Sequence, residues 1–211
     1  VRVQHHHAHL ASVIAEHRID GTVIGVCFDG TGYGPDGRIW GGEFFYGKPG
    51  TLQRKAHLEY LLMPGGDKAV QEPWRMAASY LYQSLGENIY TLTIPFVRKY
   101  RLRLAPLVAA SRIQPVLTSS AGRLFDAVSA LIGACETVSY EAQAAIRLQQ
   151  LAEMSSTDKA YRFFSATPDG SVISARTVIA DIVRDIRRGV KPAYIAAAFH
   201  NGLAQALRET C

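Results

Sequence analysis

Three short strings in this sequence carry residue types that could do chemistry. The first is His5-His6-His7-Ala8-His9. Histidines four positions apart project from one face of a helix, so His5 and His9 can bring two imidazoles to one metal ion. HExxH metal sites use the same spacing, but here no Glu follows the first histidine. Two ligands do not make a firm site, so a third, a carboxylate, must come from elsewhere in the chain. The plainer alternatives are a polar helix end or a purification-tag remnant. Ala8 inside the string, and the helix-like residues after it, argue against a tag.

The second string is Asp29-Gly30-Thr31-Gly32-Tyr33-Gly34, directly after an apolar run. Glycines allow backbone N–H groups to turn toward phosphate oxygens, and the Thr31 hydroxyl adds a donor. Asp29, at the end of a strand, is placed to hold a metal through oxygen. The string is neither a Walker loop nor a GxGxxG fingerprint. It also fits an ordinary glycine-rich hairpin. The third string is Ser119-Ser120-Ala121-Gly122-Arg123-Leu124-Phe125-Asp126. Gly122 permits close approach to the start of a helix, whose dipole favours an anion. Asp126, one turn on, could accept hydrogen bonds from a ribose diol. The alternative is a capped helix with a solvated Asp.

The elements that must hold these strings can be read from periodicity. A helix is expected from about His5 to His17, with Leu10 and Ile14 as its apolar stripe and Asp20-Gly21 as its stop. Val23 to Phe28 reads as a buried strand, Asp36-Gly37 as a turn and Arg38 to Tyr46 as the returning strand. A third strand is expected at Leu58 to Met63. From Pro73 the texture becomes helical: Trp74 to Leu85, a short apolar piece at Pro106 to Arg112, and a helix capped by Thr118-Ser119-Ser120 and running to about Ala134. Further helices are expected from Ser139 to Met154, from Thr177 to Arg188, and from Pro192 with Ile195, Phe199, Leu203 and Leu207 repeating. Tyr161 to Phe164 reads as a strand. Strands first and helices later predict an α/β or α+β fold.

Composition sets the outer limits. The chain has 211 residues and a formal net charge of +5, and 48% of it is hydrophobic, which rules out a disordered tail. That length fits one domain or one lobe of a larger one. No apolar run reaches the ~18 residues of a membrane helix, and the N-terminus is not a signal peptide. The absence of an initiating Met predicts a piece of something longer. Cys27, Cys135 and Cys211 form no CxxC pair, which points to reduced thiols and a cytoplasmic location. The basic residues around Arg98 to Arg103 and Arg184 to Lys191 read as solvated helix faces rather than a nucleic-acid surface.

Taken in order, the strings VQHHHAHLASVIAEH, DGTGYGPDGRIWGGEFF, EPWRMAA, SSAGRLFDAVSALIG, SYEAQAA and AAFHNGLA closely resemble the HypF carbamoyltransferase family. The likeness is to its domain similar to the threonylcarbamoyl transferase TsaD. It implies an α/β fold with a large helical portion, a fragment of the two-lobed actin, heat-shock 70 and sugar-kinase type (ribonuclease H-like). Residues 1–211 would be part of that domain, with both its ends missing. It further implies that ATP and carbamoyl phosphate yield carbamoyl-adenylate at an upstream YrdC-like domain. The carbamoyl group then passes to the C-terminal cysteine of HypE and becomes the cyanide ligands of nickel–iron hydrogenase. By the same resemblance His5, His9 and Asp29 match the metal site, for iron, zinc or magnesium, with Asp29 also at the reacting phosphate. Gly30, Thr31 and Gly32 match the loop around the phosphoryl group, and Gly122 and Asp126 the positions near the ribose. Nucleic acid and membrane are not expected partners. A small-molecule O-carbamoyltransferase, or a module that only docks HypE, are the competing readings. The piece alone is expected to bind metal and nucleotide weakly and not to turn over.

Overall fold

The computed structural model describes residues 2–113 and 115–211, which leaves Val1 and Gln114 outside the description. Chain order begins with α1 (His5–Glu16), β1 (Val23–Tyr33), β2 (Ile39–Gly47), β3 (Gln53–Leu58) and β4 (Leu61–Leu62). A short α2 (Lys68–Gln71) leads into α3 (Pro73–Leu85), a 3-10 turn at Gly86–Thr91, α4 (Pro95–Ile113), β5 (Leu117–Thr118) and α5 (Ala121–Leu131). The rest is α6 (Gln143–Glu153), β6 (Phe164–Ser165), β7 (Val172–Ser174), α7 (Arg176–Arg187) and α8 (Pro192–Thr210). The expected α/β fold with a large helical portion is what forms.

β1, β2 and β3 are antiparallel neighbours, while β5 joins β2 and β7 joins β3 in parallel. Gly37, at φ +75°, closes the β1–β2 hairpin in the left-handed region where glycine is favoured. The β1–β2 register slips between Phe28 and Gly32, so the string from Asp29 to Thr31 lies in an irregular stretch of strand, not in a free loop. Such bulges re-aim side chains out of the regular ladder.

Two apolar clusters hold the elements. The larger joins α3, α5, α7 and α8 through Leu81, Leu124, Ile179, Ile182 and Phe199, each buried essentially completely. The smaller lies under α1 and gathers Leu10, Ile14, Cys27, Trp40 and Phe45. Gly25 seats α1 on β1, because a Cβ there would stand 2.6 Å from Leu10 Cδ2. Leu10 and Ile14 are thus the contact stripe their spacing predicts.

Several expectations need correction. β1 runs to Tyr33 and is not wholly buried: Ile24 is 51% exposed, since α1 covers only part of it and, among the described residues, β1 pairs only with β2. The strand expected at Leu58 to Met63 is the end of β3 plus the two-residue β4. Only Phe164–Ser165 extends at the expected Tyr161 to Phe164 strand, because Tyr161 turns its N–H to Ala198 O of α8. The short piece at Pro106 to Arg112 is the end of the 19-residue α4. Pro106 lacks an N–H, yet Phe96, Val97, Tyr100, Leu104 and Leu107 anchor both sides of it in the core. Arg98, Arg101 and Leu102 face solvent on this helix, as a solvated face would. No helix among the described residues is long and apolar enough to cross a membrane.

Candidate functional site

The site begins with Gln4, which caps α1. Its backbone is extended, and its Oε1 accepts the His7 N–H at 2.9 Å. The cap sets the phase of the helix and hence the directions of the histidines. His5 and His9 sit one turn apart with their Nε2 atoms 3.1 Å from each other. Facing them across the irregular part of β1 is Asp29. Its Oδ2 is 2.8 Å from His5 Nε2 and 3.8 Å from His9 Nε2. Two imidazoles and a carboxylate separated by 24 residues therefore converge, as expected.

Asp29 Oδ1 accepts the Gly30 N–H at 2.6 Å. Burial alone would push this carboxyl group up. The hydrogen bonds from His5 and the Gly30 N–H outweigh it and hold the group below the usual carboxylate range. The donor set of imidazole nitrogen and ionised carboxylate oxygen fits a divalent cation, and iron, zinc and magnesium all remain compatible with it.

A third imidazole also reaches this place. His6 is completely buried, stacks beside Trp40, and puts its Nε2 3.7 Å from Asp29 Oδ2. That Nε2 has no hydrogen-bond partner. His5, His6 and Asp29 offer ligand atoms all within 4.8 Å of one another. Burial pushes the His6 pKa down, so the ring is neutral. Sequence reasoning missed His6, because at i+1 from His5 it points to another side of the helix. Its presence in the same string is the signal that could have found it.

Beside the carboxylate opens a cleft of about 600 Å³ lined by Asp29, Gly30, Thr31, Arg123, Asp126 and the 137–142 stretch. Gly32 is not in that lining. It lies under the histidines, where a Cβ would overlap the His6 ring and stand 2.8 Å from His5 Cδ2. α5 meets the cleft by its N-terminus. Its cap Ser120 has its hydroxyl 2.6 Å from Asp29 O and 2.9 Å from Gly30 O, and accepts the Arg123 N–H. Gly122 allows the approach, since a Cβ there would be 2.8 Å from Gly30 Cα.

Arg123 and Asp126 are both buried at the cleft floor, with Nη1 and Oδ2 at 2.9 Å. The angles are poor, so neither atom has a well-formed hydrogen bond. Burial pushes the Asp126 carboxyl group up to about 6, against the pull of Arg123. Arg123, which sequence reasoning also missed, sets its guanidinium beside Gly30.

A buried polar layer supports this arrangement from below. Glu43 is fully buried, and its Oε1 accepts the Gly41 and Gly42 N–H groups and the Ser119 hydroxyl. Its Oε2 takes Arg54 at 3.0 Å. The Arg54 guanidinium lies 3.9 Å over the Trp40 ring and 2.8 Å from Tyr60 Oη. β2 is thereby tied to the residue just before the α5 cap. Cys27 is buried and its thiol is pushed up to about 11 by burial, which leaves it protonated.

Residues 25–211 match the protein family described as "Carbamoyltransferase, Kae1-like Domain, second subdomain". Carbamoyltransferase HypF2 of Cupriavidus necator is 47% identical over 154 residues, covering 72% of this chain and 19% of that protein. Carbamoyltransferase HypF of Synechocystis sp. is 36% identical over 218 residues, covering 95% of this chain and 28% of its own length. A crystal structure of T. kodakarensis HypF superposes with a TM-score of 0.86 at 32% identity, over 100% of this chain and 28% of that one. Full-length HypF in a phosphate- and nucleotide-bound form gives 0.82 at 35% identity, over 99% of this chain and 28% of that one. The chain thus spans between a fifth and somewhat over a quarter of the length of these relatives.

Proposed function

The chain belongs to the HypF carbamoyltransferase family, and from that premise we propose that it forms part of a TsaD-like domain for carbamoyl transfer. The donor is carbamoyl-adenylate, made from ATP and carbamoyl phosphate. The acceptor is the C-terminal cysteine of HypE, and the product leads to the cyanide ligands of nickel–iron hydrogenase. The thiolate forms a C–S bond to the carbamoyl carbon, the C–O bond to the phosphate breaks, and AMP leaves with the electron pair. The observation that carries this reading is the convergence of His5, His9 and Asp29 on the mouth of the cleft that Gly30 and Thr31 line.

Each residue has a role in this reading. His5, His9 and Asp29 hold a divalent cation, which when bound acts as a Lewis acid on a phosphoryl or carbonyl oxygen. Gly30 and Thr31 supply the backbone around the phosphate, while Gly32 makes room for the histidines instead, and the N-terminus of α5 favours the phosphate's negative charge. Gly122 permits the close approach, and Asp126 serves the ribose hydroxyls. The nucleophile comes from HypE. The protonated, buried thiol of Cys27 is consistent with a chain that supplies none. Three cysteines without a disulfide suit the cytoplasm, where such an acceptor thiol stays reduced.

The test uses the full-length protein that contains this chain, with HypE, ATP and carbamoyl phosphate. Mass spectrometry of HypE reads the carbamoyl adduct on its C-terminal cysteine. The double variant His5→Ala, His9→Ala is expected to lose the adduct while still co-purifying with HypE. Full transfer by that variant would overturn the reading, and loss of HypE binding alone would favour a docking module.

A further inference from the structure

The buried His6 has a proton position that its surroundings determine. Gln4 Oε1 accepts the His7 N–H at 2.9 Å, and Gln4 Nε2 donates to Tyr33 O at 3.2 Å. One partner can only donate and the other can only accept, so the amide orientation is settled from both ends. The same Gln4 Nε2 lies 3.2 Å from His6 Nδ1. An NH2 group offers only hydrogens, so His6 Nδ1 must present its lone pair. A second proton on Nδ1 would face the amide hydrogens. The ring proton therefore sits on Nε2, the atom 3.7 Å from Asp29 Oδ2.

We infer that His6 is not a metal ligand but a positioning residue, locked by Gln4 in the Nε2–H form and directed at the Asp29 carboxylate. At 3.7 Å this is a charge–dipole contact rather than a closed hydrogen bond. It restrains the oxygen that faces His5 and His9. His6 Nε2 has no lone pair to give a cation unless its Gln4 bond is broken. His6 is also boxed in, since Trp40 lies beside its ring and Gly32 leaves just the space that the ring occupies. Partners of this outer kind orient the ligating carboxylate and tune affinity without touching the ion.

The inference rests on the metal reading of His5, His9 and Asp29, and two measurements separate the two. Nitrogen-15 NMR of the histidine-labelled intact chain, with no metal added, should show His6 with a proton on Nε2 and none on Nδ1. Gln4→Glu keeps the helix cap but turns an acceptor toward the ring, and should put a proton on Nδ1. A bare Nε2 in the unaltered chain, or an unchanged ring in Gln4→Glu, overturns the inference. Zinc titration is the second measurement. His6→Gln, whose amide can still donate near the Nε2 position, should stay close to the unaltered affinity, whereas His6→Leu should lose about 10–100-fold. His6→Gln falling as far as His5→Gln would make His6 a ligand and refute the proposal. Failure of the unaltered chain to bind zinc, iron or magnesium would refute the metal reading instead, and leave the NMR result to judge His6.

Discussion

At the scale of single residues, the paired histidines were legible because helical spacing alone puts His5 and His9 on one face. Asp29 was legible as an acid just after an apolar run, but it sits inside β1 at the register slip rather than at a strand's end. The geometry agrees, with Asp29 Oδ2 2.8 Å from His5 Nε2 and 3.8 Å from His9 Nε2. What was hidden depends on tertiary packing. His6 differs from its neighbours by being buried against Trp40, and Arg123 by lying next to Gly30; helical spacing does not reveal either contact. On the proposed reading that His5, His9 and Asp29 ligate a cation, removing one of them should cost more than removing an outer partner. His5→Ala, His9→Ala and Asp29→Asn should therefore each lower zinc affinity by more than about 100-fold, measured by competition with a chelator. Asp29→Asn is the most informative, because it keeps the shape and the Gly30 contact while deleting the charge. Equal affinity for Asp29→Asn would mean that the carboxylate does not ligate.

At the scale of elements, the helices with a clear apolar stripe and a cap signal were readable. α3 ends at Leu85, and α8 starts at Pro192, where the residues placed them. α4 was not readable, since Pro106 interrupts a pattern that only burial of both flanks restores. Two glycines test how closely elements approach. Gly202 lies inside α8, where propensity alone makes Ala better by about 1 kcal/mol. A Cβ there would overlap the main chain of Tyr161, which cannot rotate away as a side chain could. Overpacking of about 1–3 kcal/mol or more should win, so Gly202→Ala is expected to destabilise, read as a lower denaturant midpoint. Gly122→Ala should likewise part α5 from the Gly30 backbone. Its mark is weakened nucleotide binding together with reduced stability, because the same contact shapes the cleft. Glu43 joins β2 to the α5 cap. Glu43→Gln, which removes the fully buried countercharge of Arg54 but leaves Asp36 3.7 Å from its guanidinium, should cost about 1–3 kcal/mol in equilibrium unfolding.

At the scale of the molecule, the buried carboxylates pull stability in opposite directions with pH. Asp185 takes the hydroxyl of Tyr161 at 2.7 Å and Lys159 at 2.5 Å. Burial raises its pKa, but these partners outweigh that and hold it low. Its contribution is present above the ordinary carboxylate value and is lost as pH falls through its folded value. Asp126 behaves oppositely. Burial pushes it up to about 6, so the folded state holds its proton where the unfolded chain has released it. Stability from this group is complete below about 4 and declines as pH rises to about 6, by up to about 3 kcal/mol. The site thus keeps an ionised acid at neutral pH at the expense of the fold, as groups at functional sites often do. Comparing the chain with Asp126→Asn isolates the effect. The substitution also leaves Arg123 without its partner, but that offset does not vary with pH because a guanidinium does not titrate. Unfolding free energies of both proteins across this range should therefore show the unaltered chain losing ground to the variant as pH rises from about 4 to about 7. A constant difference, or a slope of the other sign, would mean that Arg123 neutralises Asp126 fully and that the acid carries no strain for ligand binding to relieve.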